Sequence, residues 1–170
     1  TGNLAPTQPA ITTPAGGATT KTSVFFEWSA STDSDPLTYT VEIAINSSFT
    51  GTNVVYRREE LTDTWLFAGP EAGLQDQTTY TWRVTAVDKY GSHTSSTPAA
   101  FSTNNTNISL PASISVTVKD SITSLPILGA AVTFNGAVTK TTDSQGKCGV
   151  GLSSGQSIQV LASMSSYISS

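Results

Sequence analysis

Residues 151–155 read Gly-Leu-Ser-Ser-Gly, the spacing at which a serine nucleophile sits on a sharp strand-to-helix turn. That chemistry needs a helix after the turn and a histidine further along to take the serine proton. No helical periodicity follows residue 155, and the single histidine, His93, precedes the motif. Ser153 is therefore expected to lie in a hairpin turn, and no residue is assigned a catalytic role. One histidine and one cysteine also fall short of a zinc donor set. Cys148 cannot form an internal disulfide, and its place at a strand start after a turn predicts a small buried apolar residue rather than a reactive thiol. Asp33, Asp35 and Asp88 are loop carboxylates of the kind that hold calcium. Calcium takes roughly six to eight oxygens, so capping of their own turns is the competing reading. No cofactor is expected.

Three sequons, at Asn46, Asn104 and Asn107, are candidates for glycosylation. Phe25, Tyr56 and Tyr90 are read as exposed aromatics that could stack on sugar rings, since Phe25 is out of phase with Val24, Phe26 and Trp28.

The composition narrows the partners. Charged residues are 12% of the chain, about half the usual share. Ser and Thr make up roughly 30% instead. The formal net charge is −4. Ten acids and five bases lie in residues 1–104, and two acids and three bases follow. No basic stripe exists, so nucleic acid is excluded as a partner. No apolar run is long enough to span a membrane. A chain that begins at Thr1 rather than Met is expected to have lost a leader or to be a fragment.

These residues are positioned by strands. Residues 79–91 read Thr-Tyr-Thr-Trp-Arg-Val-Thr-Ala-Val-Asp-Lys-Tyr-Gly. Tyr80, Trp82, Val84 and Ala86 share one face and Thr79, Thr81, Arg83 and Thr85 the other, the period of a half-buried strand. Residues 23–29 place Val24, Phe26 and Trp28 inward, and residues 37–44 do the same with Leu37, Tyr39, Val41 and Ile43. Further strands are predicted at 53–57, 64–68 and 99–103. Residues 31–36 (Ser-Thr-Asp-Ser-Asp-Pro) are turn chemistry. After a polar stretch at 105–111, Ile114, Val116 and Val118 alternate. Asn135-Gly136 lies between two β-rich runs, a two-residue hairpin signal. No stretch has sustained helical periodicity, so the chain is expected to be all-β, two Greek-key sandwiches in tandem.

Trp28, Tyr39, Leu74, Tyr80 and Gly91, with the stretches LTYTVEIA and TTYTWRVTAVDKYGS, make residues 6–104 resemble a fibronectin type III domain. Pro126, Gly129 and Ala130, the turn at Thr142, Asp143 and Gly146, and Gly155 make residues 112–170 similar to a carboxypeptidase regulatory-like, transthyretin-like sandwich. That family has a Gly-Tyr pair where Ser166-Tyr167 stands here, and continues with a further strand, so the second module is expected to lack its last one. The domains are thus read as 1–104 with an extended N-terminal segment, a linker at 105–111, and 112–170. The second module is also similar to adhesin repeats that crosslink a lysine to an asparagine. Lys119 stands near the place, but no glutamate follows Glu71, so no such bond is expected.

These resemblances imply a non-enzymatic extracellular or cell-surface structural protein. Its expected partners are itself, other surface proteins or polysaccharide. Head-to-tail assembly is expected through β-strand addition, with residues 1–14 of one copy completing the next copy's second module. The alternative is an accessory carbohydrate- or protein-binding module of a larger secreted enzyme.

Overall fold

Alternating β-branched, aromatic and hydroxyl side chains favour extended backbone, and the computed structural model is all-β, with no α-helix among the described residues. It describes residues 3–106, 112–152 and 158–164. The chain divides into two units, Thr1–Leu110 and Pro111–Ser170.

Among the described residues the first unit has nine strands: β1 (Ile11–Thr13), β2 (Ala18–Thr20), β3 (Val24–Trp28), β4 (Leu37–Ala44), β5 (Val54–Leu61), β6 (Trp65–Ala68), β7 (Thr79–Asp88), β8 (His93–Ser95) and β9 (Ala99–Thr103). One sheet has the order β1-β3-β6 and the other β2-β9-β7-β4-β5, with β8 also paired to β7. All pairings are antiparallel except β2 with β9, which is parallel. The core lies between the sheets. Phe26 meets Trp82 edge-on at 4.7 Å and Phe101 at 5.6 Å, and Trp28 meets Tyr39 at 5.6 Å. The Tyr80 hydroxyl accepts the Gln75 N–H at 2.8 Å, a tyrosine at the start of its strand that ties down the preceding corner. This strand order and core give the first unit a fibronectin type III-like fold.

Three features differ from the sequence expectation. Strand β5 runs to Leu61 rather than 57, with irregular pairing to β4 and Glu60 at φ 57°. A bulge of that kind hides the continuing strand from a period-two reading. Phe25 is buried, not an exposed sugar platform, because its ring stacks on Trp65 at 5.9 Å on the outer face of β3-β6. The N-terminal segment is not free: the Ser29 N–H donates to Ala10 O at 2.8 Å, β1 pairs with β3, and Pro6, Pro9 and Pro14 are buried.

The second unit has β10 (Ala112–Thr117), β11 (Ala131–Phe134), β12 (Val138–Thr141), β13 (Lys147–Leu152) and β14 (Val160–Ser163). Strand β10 pairs with β13, and the other sheet has the order β12-β11-β14. Ala130, Val132, Phe134 and Cys148 are its buried apolar residues. Asn135 and Gly136 take φ 51° and 69°, and the Ala137 N–H closes their turn on Phe134 O at 3.1 Å, as the Asn-Gly pair predicts. Leu128 stays outside β11, because Gly129 at φ 76° turns the chain before the strand can begin.

Candidate functional site

The first unit is threaded from pole to pole. At one pole the Asn3 amide donates to Asp88 Oδ2 and Ser92 Oγ, and the Thr7 N–H donates to Thr32 O at 3.0 Å. At the other the Asn105 N–H donates to Asp76 Oδ1 at 2.6 Å, and the Thr22 N–H donates to Asn105 Oδ1 at 3.0 Å. Strand β7 separates Asp76 from Asp88; its ten residues span about 30 Å at the usual rise.

The three candidate calcium carboxylates all lie at the N-terminal pole, but each has its own partner. Asp33 Oδ1 accepts the Asp35 N–H at 2.9 Å, which caps its own turn. Asp35 pairs with Lys89 Nζ at 2.6 Å. Asp88 Oδ1 accepts the N–H groups of Tyr90 at 2.8 Å and Ser92 at 2.9 Å. Among the described residues no three His, Cys, Asp or Glu side chains are grouped to hold a metal.

The side-chain hydrogen bond from Asn3, with the backbone bonds from Tyr90, Ser92 and Gly91, holds the Asp88 carboxyl below its ordinary value of 3.8. A folded-state pKa below the unfolded one gives a stabilisation fully present above the unfolded pKa and lost as pH falls through the folded one. The melting temperature of the first unit is thus expected to fall as pH drops below about 4. Asp88→Asn should flatten that acid limb; an unchanged limb in the variant would show that other carboxylates carry it.

Cys148 is wholly buried in β13, opposite Val116. Burial, with Asp143 close by, pushes its thiol up to about 11. The native chain should therefore react with iodoacetamide at pH 8 much more slowly than the chain in denaturant. Equal rates would contradict the burial.

The other sequence candidates are dispersed. His93 is exposed, with Nδ1 3.2 Å from Gly91 O. Lys119 is exposed and bridges to Pro126. Asn46 is exposed, and its Oδ1 accepts the Ser48 N–H at 2.8 Å. Asn104 is half-buried, with its Oδ1 2.8 Å from Thr106 Oγ1. Asn107 and Ser153 lie outside the described residues. Tyr56 is half-buried against the core, and burial followed by nearby Glu71 raises its phenol. Tyr90 is exposed, with Lys89 Nζ 4.8 Å from its ring centre. The aromatics do not converge.

Sequence reasoning missed a charge network around the buried Glu42 on the outer face of the larger sheet. Glu42 Oε2 accepts from Arg83 at 2.7 Å, Arg57 lies 3.6 Å from Glu42 Oε1, and the Arg83 guanidinium sits 4.4 Å from the Phe49 ring centre. The cross-strand pair Glu42–Arg83 follows from the β4-β7 register. Opposite charges on adjacent strands are the only signal the sequence holds for it.

No protein-family model matches the chain, and no curated protein matches it. Solved structures do. The fibronectin type-III domain of human fibronectin type III domain containing protein 3 is 20% identical, with 63% of this chain and 94% of that one covered at a TM-score of 0.43. The FN1–FN3 domains of chicken CNTN1 are 14% identical at a TM-score of 0.45. That match covers 95% of this chain but 59% of the chicken one, so this chain spans less than two thirds of it. The D00–D0 domain of Intimin is 15% identical, covered over 93% and 94% of the two chains at a TM-score of 0.25. Among the described residues no helix is long and apolar enough to cross a membrane.

Proposed function

We propose that this chain is a non-enzymatic structural and adhesive element of an extracellular or cell-surface assembly, working by linking modules in line. The observation that carries this reading is the threading of the first unit. Its two chain ends leave from opposite poles, each tied by side-chain hydrogen bonds to loops of that pole. A unit joined that way passes tension through its sheets rather than around them. The second unit is read as a carboxypeptidase regulatory-like sandwich. Its turn is held by Asp143 Oδ1, which accepts the N–H groups of Gln145 at 2.8 Å and Lys147 at 2.9 Å.

The finer reading is head-to-tail assembly by β-strand addition. Among the described residues, β14 pairs with β11 alone and its side chains are all exposed. The chain has no charge after Lys147 to guard that edge. Residues 3–14 are docked on their own unit, so addition requires their exchange between copies. Leu161→Lys, at an exposed position of β14, tests it without touching the first unit. Sedimentation should show the oligomer dissociating in the variant; an oligomer that persists unchanged would discard strand addition.

A further inference from the structure

Asparagine is a thermolabile side chain, and the residue that follows it decides how labile. Asn135-Gly136 is the only asparagine–glycine pair in the chain. A glycine in that place presents a backbone nitrogen with no Cβ to shield it. Asn135, Gly136 and Ala137 are all exposed, and a Cβ built on Gly136 would meet nothing within 4 Å. Water and hydroxide therefore reach the turn. The Gly136 nitrogen and Asn135 Cγ belong to adjacent residues and can close a five-membered ring, so the attack is unimolecular.

The chemistry needs no cofactor. Hydroxide takes the Gly136 N–H proton, the nitrogen attacks Asn135 Cγ, the N–Cγ bond forms and the Cγ–Nδ2 bond breaks. Nδ2 takes a proton from water and leaves as ammonia. Water then opens the cyclic imide. Breaking the N–Cγ bond leaves aspartate. Breaking the bond from the Asn135 carbonyl carbon to the Gly136 nitrogen leaves isoaspartate, with the backbone running through Cβ and Cγ. Either product is one mass unit heavier than the asparagine chain.

In the folded unit the reacting groups are held apart. The Asn135 N–H donates to Gln159 O at 2.8 Å, and Asn135 Oδ1 accepts the Gln159 N–H at 2.7 Å. One residue thus grips both the backbone and the side chain of Asn135. The turn is closed by the Ala137 N–H on Phe134 O, with φ 51° at Asn135 and 69° at Gly136. Ring closure has to turn Cγ toward the Gly136 nitrogen and swing the peptide between them, which breaks the Gln159–Oδ1 bond. Gln159 stands directly before β14, whose Val160 pairs with Phe134. The grip lasts only while β14 lies on β11. Among the described residues β14 pairs with β11 alone, and its side chains are all exposed. A strand with so little buried opens at low cost.

We infer that Asn135 is a self-modifying site gated by β14. It keeps its amide while Gln159 grips it, and converts to aspartate and isoaspartate once the start of β14 has left β11. Isoaspartate adds a carbon to the backbone of a two-residue turn, so β11 and β12 cannot regain their register. The opening is then recorded permanently. The assembly reading above is not required for this.

The tryptic peptide of residues 120–140 carries Asn135 as its only asparagine, so its mass reports this site. In mildly alkaline buffer the whole chain should modify Asn135 at least about tenfold more slowly when folded than in denaturant. Gly136→Ala should slow the reaction in denaturant at least about tenfold, because the added Cβ shields the nitrogen. Gln159→Pro removes the N–H on Oδ1 at a position just before the strand, where proline is tolerated. Folded by circular dichroism, it should modify several-fold faster than the parent. Hydrogen exchange of the Gln159 N–H needs no variant and decides the matter if the proline chain does not fold: exchange and modification should rise together as denaturant is added. No modification in denaturant, equal rates folded and unfolded, or a folded Gln159→Pro chain that modifies at the parent rate overturns the inference. So does modification that accelerates while the Gln159 N–H stays protected.

Discussion

Replacing Trp82 by Ala will remove a large part of the first unit's stability and lower its melting temperature steeply. Trp82 is wholly buried, packs on Phe26 at 4.7 Å, and donates its indole N–H to Pro14 O at 3.0 Å. Truncating a buried aromatic costs about 3–5 kcal/mol, and the variant also strands the Pro14 carbonyl. A domain holds about 5–15 kcal/mol in all, so the loss is a large share of the margin and, at the low end of that range, nearly all of it. Trp28→Ala should be nearly as severe, since Trp28 fills the core against Tyr39. The two indoles differ in one respect: the Trp28 N–H is buried without a hydrogen-bond partner. Phe should therefore be better tolerated at 28 than at 82. Near-UV circular dichroism during a thermal melt reads all four variants. A Trp82→Ala melt that overlays the parent would remove the assignment of β7 to the core.

Replacing Gly146 by Ala should be the corresponding lesion in the second unit. Gly146 takes φ 71°, and a Cβ there would meet the backbone oxygen of Val118 at 2.4 Å and Cβ of Pro126 at 3.0 Å. A backbone atom cannot swing aside as a side-chain tip would. The left-handed conformation and the overlap together cost about 2–5 kcal/mol. The Gly146 carbonyl accepts the Val118 N–H at 2.7 Å, so relief of the overlap breaks the join between turn and loop. Gly136→Ala is the control. Its φ is 69° but a Cβ there meets nothing within 4 Å, so the cost should be only about 1 kcal/mol. Thermal melts that rank the two glycines equally would show that conformation alone, not the Val118 contact, requires Gly146.

Period-two alternation located most strands of the first unit. Residues 37–44 and 99–103 coincide with β4 and β9, and Val24, Phe26, Trp28, Tyr80, Trp82, Val84 and Ala86 all face the core. The Asn135-Gly136 turn was equally plain, because few residue pairs accept positive φ twice. The three-residue strands β1 and β2 carry no such signal. They exist because neighbouring strands offer unpaired backbone groups, which a local pattern does not record.

What the sequence determined by itself is the all-β class, the inward face of each long strand, and the turns built on glycine, asparagine and aspartate. These follow from backbone geometry within a few residues. The tertiary structure alone decided what the polar and exposed groups do. Asp33, Asp35 and Asp88 look alike as loop carboxylates, yet one caps its turn, one meets Lys89 and one is claimed by Asn3, 85 residues away. Glu42 meets Arg83 only because β4 and β7 pair in one register. Phe25 is out of phase with its own strand's core face, and burial came from Trp65 across the sheet. Partners of this kind depend on strand register and on closing long loops, and neither is encoded in the spacing of neighbours along the chain.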